Sequence, residues 1–422
     1  MLHTEAVLIA FAVVFALHFI IERGLTWLNT RHVREHAGSI PAQLQGRVTP
    51  ETHARSIEYT LARAKFGNLA AVYDAVTELF FLFSGIFAFL FFTVDARGPG
   101  GLTNGVLLMA AVTIFFSLMS LPIQIYSTFV LEAKFGFNKT DVRTFILDRI
   151  KGAIVGALVG VPFLYGLLWF IQSTGEWWWV WATVFVIGFQ LAMVVIYPLL
   201  IAPLFNKFSP LGEGELKAKL EALAQRCNFA ARGIFVMDGS KRSAHSNAYF
   251  TGFGRARRIV LFDTLIEQLT SDELAGVLAH EIGHYKRGHI PRMLLLGSLL
   301  TLGGFFVLSL LIHWPPLYHA FGLPGPDPAA GLILFSLLAG HFTFWVGPLL
   351  NALSRKHEYE ADAYASEHGG GPEPIASALI KLHEKNLSNP TPHPLYSAYH
   401  YSHPTLVERL GHLRFSIRGS RF

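Results

Sequence analysis

The chain is poor in cysteine and in charge. Its single cysteine, Cys227, excludes an internal disulfide and any zinc site built from several cysteines. Charged side chains make up 15% of the 422 residues, whereas a soluble protein usually carries about 25%. With 52% hydrophobic residues and a net charge of only +5, the composition indicates a membrane protein. Apart from the basic pI, nothing favours nucleic-acid binding.

Seven apolar stretches are long enough to cross a bilayer as helices, which takes roughly 20 residues. They are residues 6–28, 70–92, 106–131, 153–171, 177–202, 293–314 and 329–353. The first stretch lacks a basic start and a cleavage site of small residues, so we expect a retained anchor rather than a signal peptide.

The loops between these stretches differ in positive charge. Lysine and arginine are abundant between spans one and two, between three and four, after five and after seven. Arg97 stands alone between spans two and three, and the remaining two loops have none. Because short basic loops stay in the cytoplasm, we expect a multi-pass membrane protein with its amino terminus outside and its carboxyl terminus in the cytoplasm.

The chain divides into four predicted segments. Residues 1–205 hold spans one to five, 206–290 form a polar cytoplasmic region, 291–354 hold spans six and seven, and 355–422 form a cytoplasmic tail. In the polar region, EGELKAKLEALAQRC predicts a helix, and GIFVMDGS, NAYFTGFG and RRIVLFD predict strands. Thr270 and Glu273 predict a capping box at the start of the next helix. The predicted fold is an all-α polytopic membrane protein with a small α+β cytoplasmic region.

That next helix carries the sequence HEIGH, residues 280–284. His280 and His284 share one helix face, so both imidazoles can reach one metal ion, and Glu281 is the general base in known sites of this pattern. His289 falls on roughly the opposite face of a continuous helix. Ile290 occupies the third-histidine position of the metzincin pattern, which excludes that subclass. The alternative is a solvated polar helix beside the membrane.

The third ligand must come from elsewhere, and two histidines with one glutamate are a common catalytic zinc set. Glu358 and Asp362 are four residues apart in the tail and share a helix face, from which Glu360 points away. Glu358 can complete the coordination, and Asp362 can orient a ligating histidine through its second ring nitrogen. An ordinary charged helix surface explains this spacing equally well.

Several further segments extend the pattern. HEIGHYKRGH, HEYEADAYA after the last span, SNAYFTGFG, YHYSHPTLVERL, LEAKFGFNKT and PLFNKFSPL together resemble the type I CAAX prenyl endopeptidases, which are membrane zinc proteases of the gluzincin type. The resemblance runs from span one to about residue 415. It implies seven transmembrane helices around an intramembrane chamber, with one zinc ion bound by His280, His284 and Glu358. Glu281 would be the catalytic acid and base.

The resemblance also implies roles for residues outside the zinc motif. Asn247, with Ala248 and Tyr249, would lie on an edge strand that pairs with extended substrate. His403 would stabilise the oxyanion. Arg409 would support Asp362 or the zinc helix.

The predicted function is a membrane zinc endopeptidase that cleaves near the carboxyl terminus of prenylated or other membrane-associated peptides. A stress-response protease for misfolded membrane proteins would use the same site.

A transporter or channel is the alternative from another class, because Asp74, Glu78 and His341 lie inside or beside spans. These side chains either line an aqueous chamber or pair between helices. The compact loops favour a bacterial member in the inner membrane.

Overall fold

The computed structural model describes residues 2–251 and 257–413 and is mostly helical with one small sheet. Its helices are α1 (Leu2–Glu35), α2 (Pro50–Phe83), α3 (Ile86–Arg97), α4 (Gly101–Tyr126), α5 (Val142–Ser173), α6 (Trp178–Ile196), α7 (Ala202–Phe205), α8 (Glu215–Arg226), α9 (Asp263–Gln268), α10 (Ser271–Lys286), α11 (His289–Leu311), α12 (Pro315–His319), α13 (Pro328–His368), α14 (Pro372–Lys385), α15 (Pro394–His400) and α16 (Leu406–His412). The strands are β1 (Phe208–Pro210), β2 (Ile234–Met237), β3 (Ala248–Thr251) and β4 (Arg258–Phe262). Wider π-helical turns continue α4 over Ser127–Glu132 and α6 over Tyr197–Ile201.

Within the described residues, seven helical segments are long and apolar enough to cross a membrane, which confirms the predicted number of spans. They are His3–Glu35, Pro50–Phe83, Gly101–Glu132, Val142–Ser173, Gly175–Phe205, His289–Leu311 and Pro328–His368. The second differs from its prediction. The apolar stretch 70–92 crosses a break at Gly85, whose φ of 88° favours glycine. The span is therefore α2, and α3 is a separate helix.

The seven spans do not pack as one compact bundle. In the most apolar part of the Gly175–Phe205 segment, none of the residues is buried inside the protein. A shared core does form from α2, α3, α6 and α12, where Phe81, Phe87, Trp178 and Tyr318 are buried. Elsewhere the spans leave much of their apolar surface open, either to lipid or to an interior space.

Polar residues inside the spans join three helices. His341 of α13 lies with its Nε2 2.9 Å from Glu78 Oε1 of α2, and with its Nδ1 2.8 Å from His18 Nδ1 of α1. His341 is buried. Of the two alternatives left open by the sequence, pairing between helices is the one found for Glu78 and His341. Such pairing offsets the cost of polar groups in lipid.

The polar region contains the predicted helix, as α8, and the three predicted strands, as β2, β3 and β4. Residues 252–254 of NAYFTGFG lie outside the described residues. The sheet has the order β1-β2-β4-β3, in which β2 and β4 are parallel and the other pairs antiparallel. The short β1 was not predicted. Among the described strands, β3 therefore has one unpaired edge.

Helix α10 crosses the core of this region. The predicted capping box is confirmed, since Thr270 Oγ1 accepts the Glu273 N–H while Glu273 Oε2 accepts the Thr270 N–H at 2.7 Å. Leu278 and Ile282 of α10 are buried against α8, α14 and the sheet. These contacts fix the position of the metal-binding motif.

Helix α13 runs without a break from the last span into the polar region, over 41 residues. The predicted boundary between residues 354 and 355 thus lies inside one helix. Residues 414–422 of the predicted tail lie outside the described residues.

Candidate metal and catalytic centre

Helices α10 and α13 approach closely at Gly283. A Cβ atom at this position would lie 3.0 Å from Tyr364 Cβ, 3.1 Å from Ala361 Cα and 3.2 Å from the Ala361 carbonyl oxygen. Gly283 is adjacent to His284, and Ala361 lies one turn after Glu358. Because glycine has no side chain, it lets the two helices meet where their polar residues face each other.

The two histidines of α10 and the glutamate of α13 converge at this contact. The Nε2 atoms of His280 and His284 are 3.1 Å apart. Glu358 places Oε2 3.4 Å from His280 Nε2 and Oε1 3.2 Å from His284 Nε2. Ligands of a tetrahedral zinc ion with bonds of about 2.0–2.1 Å lie roughly 3.3–3.4 Å apart. The structure thus brings the three predicted ligands together at a spacing that fits one ion.

The chemistry of Glu358 also fits a cation. Its carboxylate is buried, with a side-chain exposure of 4%, and Oε2 has no hydrogen-bond partner among the described residues. Arg409 Nη1 lies 3.6 Å from that oxygen, beyond hydrogen-bond range. A buried carboxylate oxygen without a hydrogen bond is costly, and a metal ion held with His280 and His284 would compensate it.

Asp362 orients His280. Its Oδ1 lies 2.9 Å from His280 Nδ1, so the ring donates from Nδ1 and keeps the Nε2 lone pair for an ion. Burial by itself lowers the pKa of His280, but the adjacent carboxylates of Asp362 and Glu358 outweigh it and raise the pKa to about 9. The surroundings of this ring are therefore strongly negative, as a cation site requires.

Arg409 of α16 is the counter-charge of Asp362. Its Nε and Nη2 donate to the two carboxylate oxygens at 2.8 and 2.5 Å, and both residues are buried. Burial lowers the pKa of the Arg409 guanidinium, but the bonds to Asp362 more than offset this and raise it. The resemblance implied Asp362 or the zinc helix as its partner, and the structure shows both: two hydrogen bonds to Asp362 and a longer contact of 3.4 Å from Nη2 to His280 Nδ1.

His289 contacts His284 from the side away from Glu358. The two Nδ1 atoms are 2.9 Å apart, and His289 Nε2 lies 2.9 Å from Glu360 Oε2. His289 was expected on the opposite face only of a continuous helix, and the structure breaks the helix just before it. Gly288 has a φ of 69° and separates α10 from α11. Gly288 and the nearby Pro291 were the sequence features that could have predicted this break.

Glu281 lies between the candidate ligands and β3. It shares the wall of a small cavity with Ala248 and Tyr249. Burial raises the pKa of Glu281, although the neighbouring histidines partly oppose this. A carboxylate with a raised pKa suits a group that must take up and return a proton near neutral pH.

The free edge of β3 begins at Asn247. The Asn247 carbonyl accepts the Phe262 N–H at 3.1 Å, so the alternation of antiparallel bonds leaves the backbone groups of Ala248 and Phe250 facing outward. The Asn247 side chain accepts the Ala248 N–H at 2.8 Å. The Asn247 side chain therefore occupies the first outward-facing N–H group of the strand. An added strand would replace this hydrogen bond with one from its own carbonyl.

His403 lies on the open side of Glu358. Its Nε2 is 3.4 Å from Glu358 Oε1, and 63% of its side chain is exposed. The other ring nitrogen is 2.9 Å from Ser402 Oγ. The imidazole is thus held at one nitrogen and free to face a substrate.

Comparisons with known proteins relate nearly the whole chain to one family. Residues 29–207 match the family model of the CAAX prenyl protease N-terminal region, with five membrane helices, and residues 210–416 match peptidase family M48. CAAX prenyl protease 1 of Saccharomyces cerevisiae is 37% identical over 93% of this chain and 92% of its own length. A CAAX prenyl protease 1 homolog of Oryza sativa is 37% identical over 90% of this chain and 92% of its own length. The crystal structure of S. mikatae Ste24p matches with a TM-score of 0.91 and 36% identity, over 96% of this chain and 98% of that one.

Proposed function

The chain belongs to the CAAX prenyl protease 1 family of M48 metallopeptidases, and on that premise we propose that it cleaves prenylated CAAX-type or other membrane-associated peptides near their carboxyl terminus. It is a membrane-spanning metalloendopeptidase. The observation that carries the proposal is the convergence of two helices on one ligand set beside the free edge of a β-strand.

The metal that the family implies is assigned here as one zinc ion per chain. His280, His284 and Glu358 would hold it, since two histidines and one glutamate with an open fourth position are a catalytic zinc set. Asp362 and Arg409 keep His280 in the ligating orientation. When bound, the ion supplies Lewis acidity to the attacking water and to the scissile carbonyl.

The side chains around the ligands perform the proton transfers. Glu281 takes the proton of the attacking water and returns it to the leaving amine, which its raised pKa favours. His403 donates a hydrogen bond to the oxygen of the scissile carbonyl as negative charge develops there. Asn247, Ala248 and Tyr249 bind the substrate backbone along β3, as an added strand binds a sheet edge.

The surroundings of the site suit a substrate that lies in the membrane. Peptide hydrolysis consumes water, and the loosely packed spans leave room for the aqueous chamber that the family resemblance implies. The basic loops support a catalytic side that faces the cytoplasm. The compact loops support a bacterial inner membrane as the location.

The decisive experiment compares a farnesylated CAAX peptide with the same peptide left unmodified, using purified protein loaded with zinc. We expect release of the carboxyl-terminal tripeptide, with faster turnover of the farnesylated peptide. Glu281→Gln should keep its zinc and lose turnover, whereas Glu267→Gln, at an exposed carboxylate of α9, should behave as the wild type. His280→Ala should lose zinc in elemental analysis.

Two results would contradict the proposal. Normal turnover by Glu281→Gln would refute the assigned chemistry. Failure to cleave the farnesylated peptide while an unfolded membrane protein is degraded would refute the substrate and favour a quality-control protease.

A further inference from the structure

A larger cavity lies beside the candidate metal centre. Its volume is about 960 Å³, and α1, α2, the end of α14 and the α15–α16 segment form its wall. His403 and Arg409 belong to that wall, so the cavity adjoins the catalytic site. Its size lies at the upper end of the usual range for ligand pockets, about 300–1,000 Å³. None of the catalytic roles assigned above uses the rest of this space.

Arg63 brings to the cavity wall a positive charge that has no close ion-pair partner among the described residues. Of the other guanidinium groups in its wall, Arg409 is bound to Asp362, and Arg23 Nη2 lies 3.3 Å from Glu22 Oε1. Arg63 is exposed to the cavity. Among the described residues, no carboxylate oxygen forms an ion pair with it within 4.0 Å.

Arg63 packs against the ring of Tyr59. Its guanidinium carbon lies 5.5 Å from the ring centre of Tyr59. The Tyr59 hydroxyl donates to Glu132 at 2.9 Å, and Glu132 Oε2 lies 3.6 Å from His245 Nε2. Arg63 also interacts with the Tyr59 side chain and, at longer range, with the Glu132 carboxylate. Since Glu132 is bound closely by the tyrosine and the histidine rather than by Arg63, the guanidinium can still bind an anion.

Polar atoms without partners gather in the same wall. Arg23 Nε, Asn389 Nδ2, His400 Nε2 and Glu22 Oε2 are buried and form no hydrogen bond among the described residues. The last two lie 3.4 Å apart as a loose pair. The Arg23 and Asn389 atoms are donors. Buried donors almost always have a partner, so a small movement of these side chains toward the cavity would let them bind acceptor oxygens there.

The direction of β3 relates the cavity to the substrate. His245, just before the start of β3, lies in the cavity wall. A peptide paired antiparallel to β3, the commoner arrangement, runs from the far end of the strand toward His245. Its carboxyl-terminal residues would then pass the catalytic site and enter the cavity.

We propose that this cavity receives the carboxyl-terminal residues of the substrate, and that Arg63 binds their free carboxylate. This inference rests on the proposed function. It adds the residue that would determine how far from the carboxyl terminus the substrate is cleaved. A guanidinium binds a carboxylate through two parallel hydrogen bonds. Three extended residues span roughly 10 Å, and Arg63 lines the same cavity as His403 and Arg409 of the candidate centre.

The test compares one cleavable peptide with a free carboxyl terminus and the same peptide with a terminal amide. For the wild type we expect amidation to raise KM about tenfold or more with little change in kcat. A rise of this size is expected because the amide loses the charged hydrogen bonds that the carboxylate forms with Arg63. Arg63→Gln should raise KM for the free acid by a similar factor, and amidation should then add nothing. Arg63→Lys should restore part of the difference.

Lys65→Gln is the matched control, because Lys65 is an exposed cation of the same helix outside the cavity wall. It should leave KM unchanged for both peptides. Equal KM values for acid and amide in the wild type would overturn the inference without any variant. An Arg63→Gln protein that still discriminates between the two peptides would also overturn it. Failure of the proposed function looks different, since neither peptide would then be cleaved.

Discussion

Replacing Gly283 by alanine inserts one methyl group between α10 and α13. The new carbon would lie 3.1 and 3.2 Å from backbone atoms of Ala361 and 3.0 Å from Tyr364 Cβ. Backbone atoms and a Cβ cannot rotate away as a flexible side chain can. Relief therefore requires the helices to separate by a few tenths of an ångström, and Glu358 moves away from the histidines with α13.

Two effects of the methyl group oppose each other. Alanine favours the helix over glycine by about 1 kcal/mol, whereas overpacking a well-packed contact costs about 1–3 kcal/mol. We expect the overpacking to dominate and the protein to unfold more easily. The zinc affinity should fall more than the stability, because the histidine ligands lie on α10, Glu358 lies on α13, and the two helices separate. Changes just outside a metal site typically weaken binding about 10–100-fold.

The measurements are zinc affinity by competition with a chelator and thermal unfolding in detergent. Gly411→Ala in α16 is the control. Apart from its chain neighbours and its own helix backbone, no described residue has an atom within 4 Å of the added carbon, so the variant should gain only the stability from alanine's higher helix propensity. If Gly283→Ala binds zinc as tightly as the wild type and unfolds at the same or a higher temperature, the close approach of the helices is not what sets the ligand spacing.

Three further outcomes follow from the described contacts. Arg409→Met leaves the buried Asp362 carboxylate without its cation and should cost about 3–5 kcal/mol in unfolding free energy, whereas Arg226→Met, at an exposed position, should be nearly neutral in the same thermal assay. Burial lowers the pKa of His383 to about 4, so below an unfolded pKa of about 6.5 the unfolded chain binds the proton first. Stability should thus fall by about 2 kcal/mol from pH 7 to pH 5, and a pH titration of His383→Leu should lack this loss. Single cysteines can be introduced as Glu176→Cys and Glu213→Cys, each in a Cys227→Ser background. An impermeant maleimide should label the cysteine at position 176 from the outside and the cysteine at position 213 only from the cytoplasmic side. Labelling of both positions from the same side would contradict the predicted orientation.

The features that the sequence predicted well are local ones. The pairing of His280 with His284 follows from helical spacing over a single turn. The capping box at Thr270 involves residues three apart, and the spans are marked by long apolar runs. Each of these signals lies within one element, so it needs no knowledge of what that element packs against.

The features that the sequence did not predict depend on turns and long-range contacts. The break at Gly85 lies inside a continuous apolar run, so hydropathy does not show it. The position of His289 depends on the left-handed turn at Gly288. The pairing of Arg409 with Asp362 joins residues 47 apart in the chain, and only the family resemblance suggested it. Spacing left Glu358 undecided, and the packing of α13 against α10 brings it to the histidines.

The continuous helix α13 has a consequence for how the protein is made. The chain is synthesised from its amino terminus, so the two histidines of α10 emerge before the last two spans exist. Glu358 arrives only with the end of α13, and Arg409 is separated from His280 by 129 residues. The centre cannot close until span seven is in the bilayer and the tail has folded back onto it. With His280, His284 and Glu358 as the proposed metal ligands, we therefore expect the newly made protein to be inactive during its own insertion and to become active as its last segment docks.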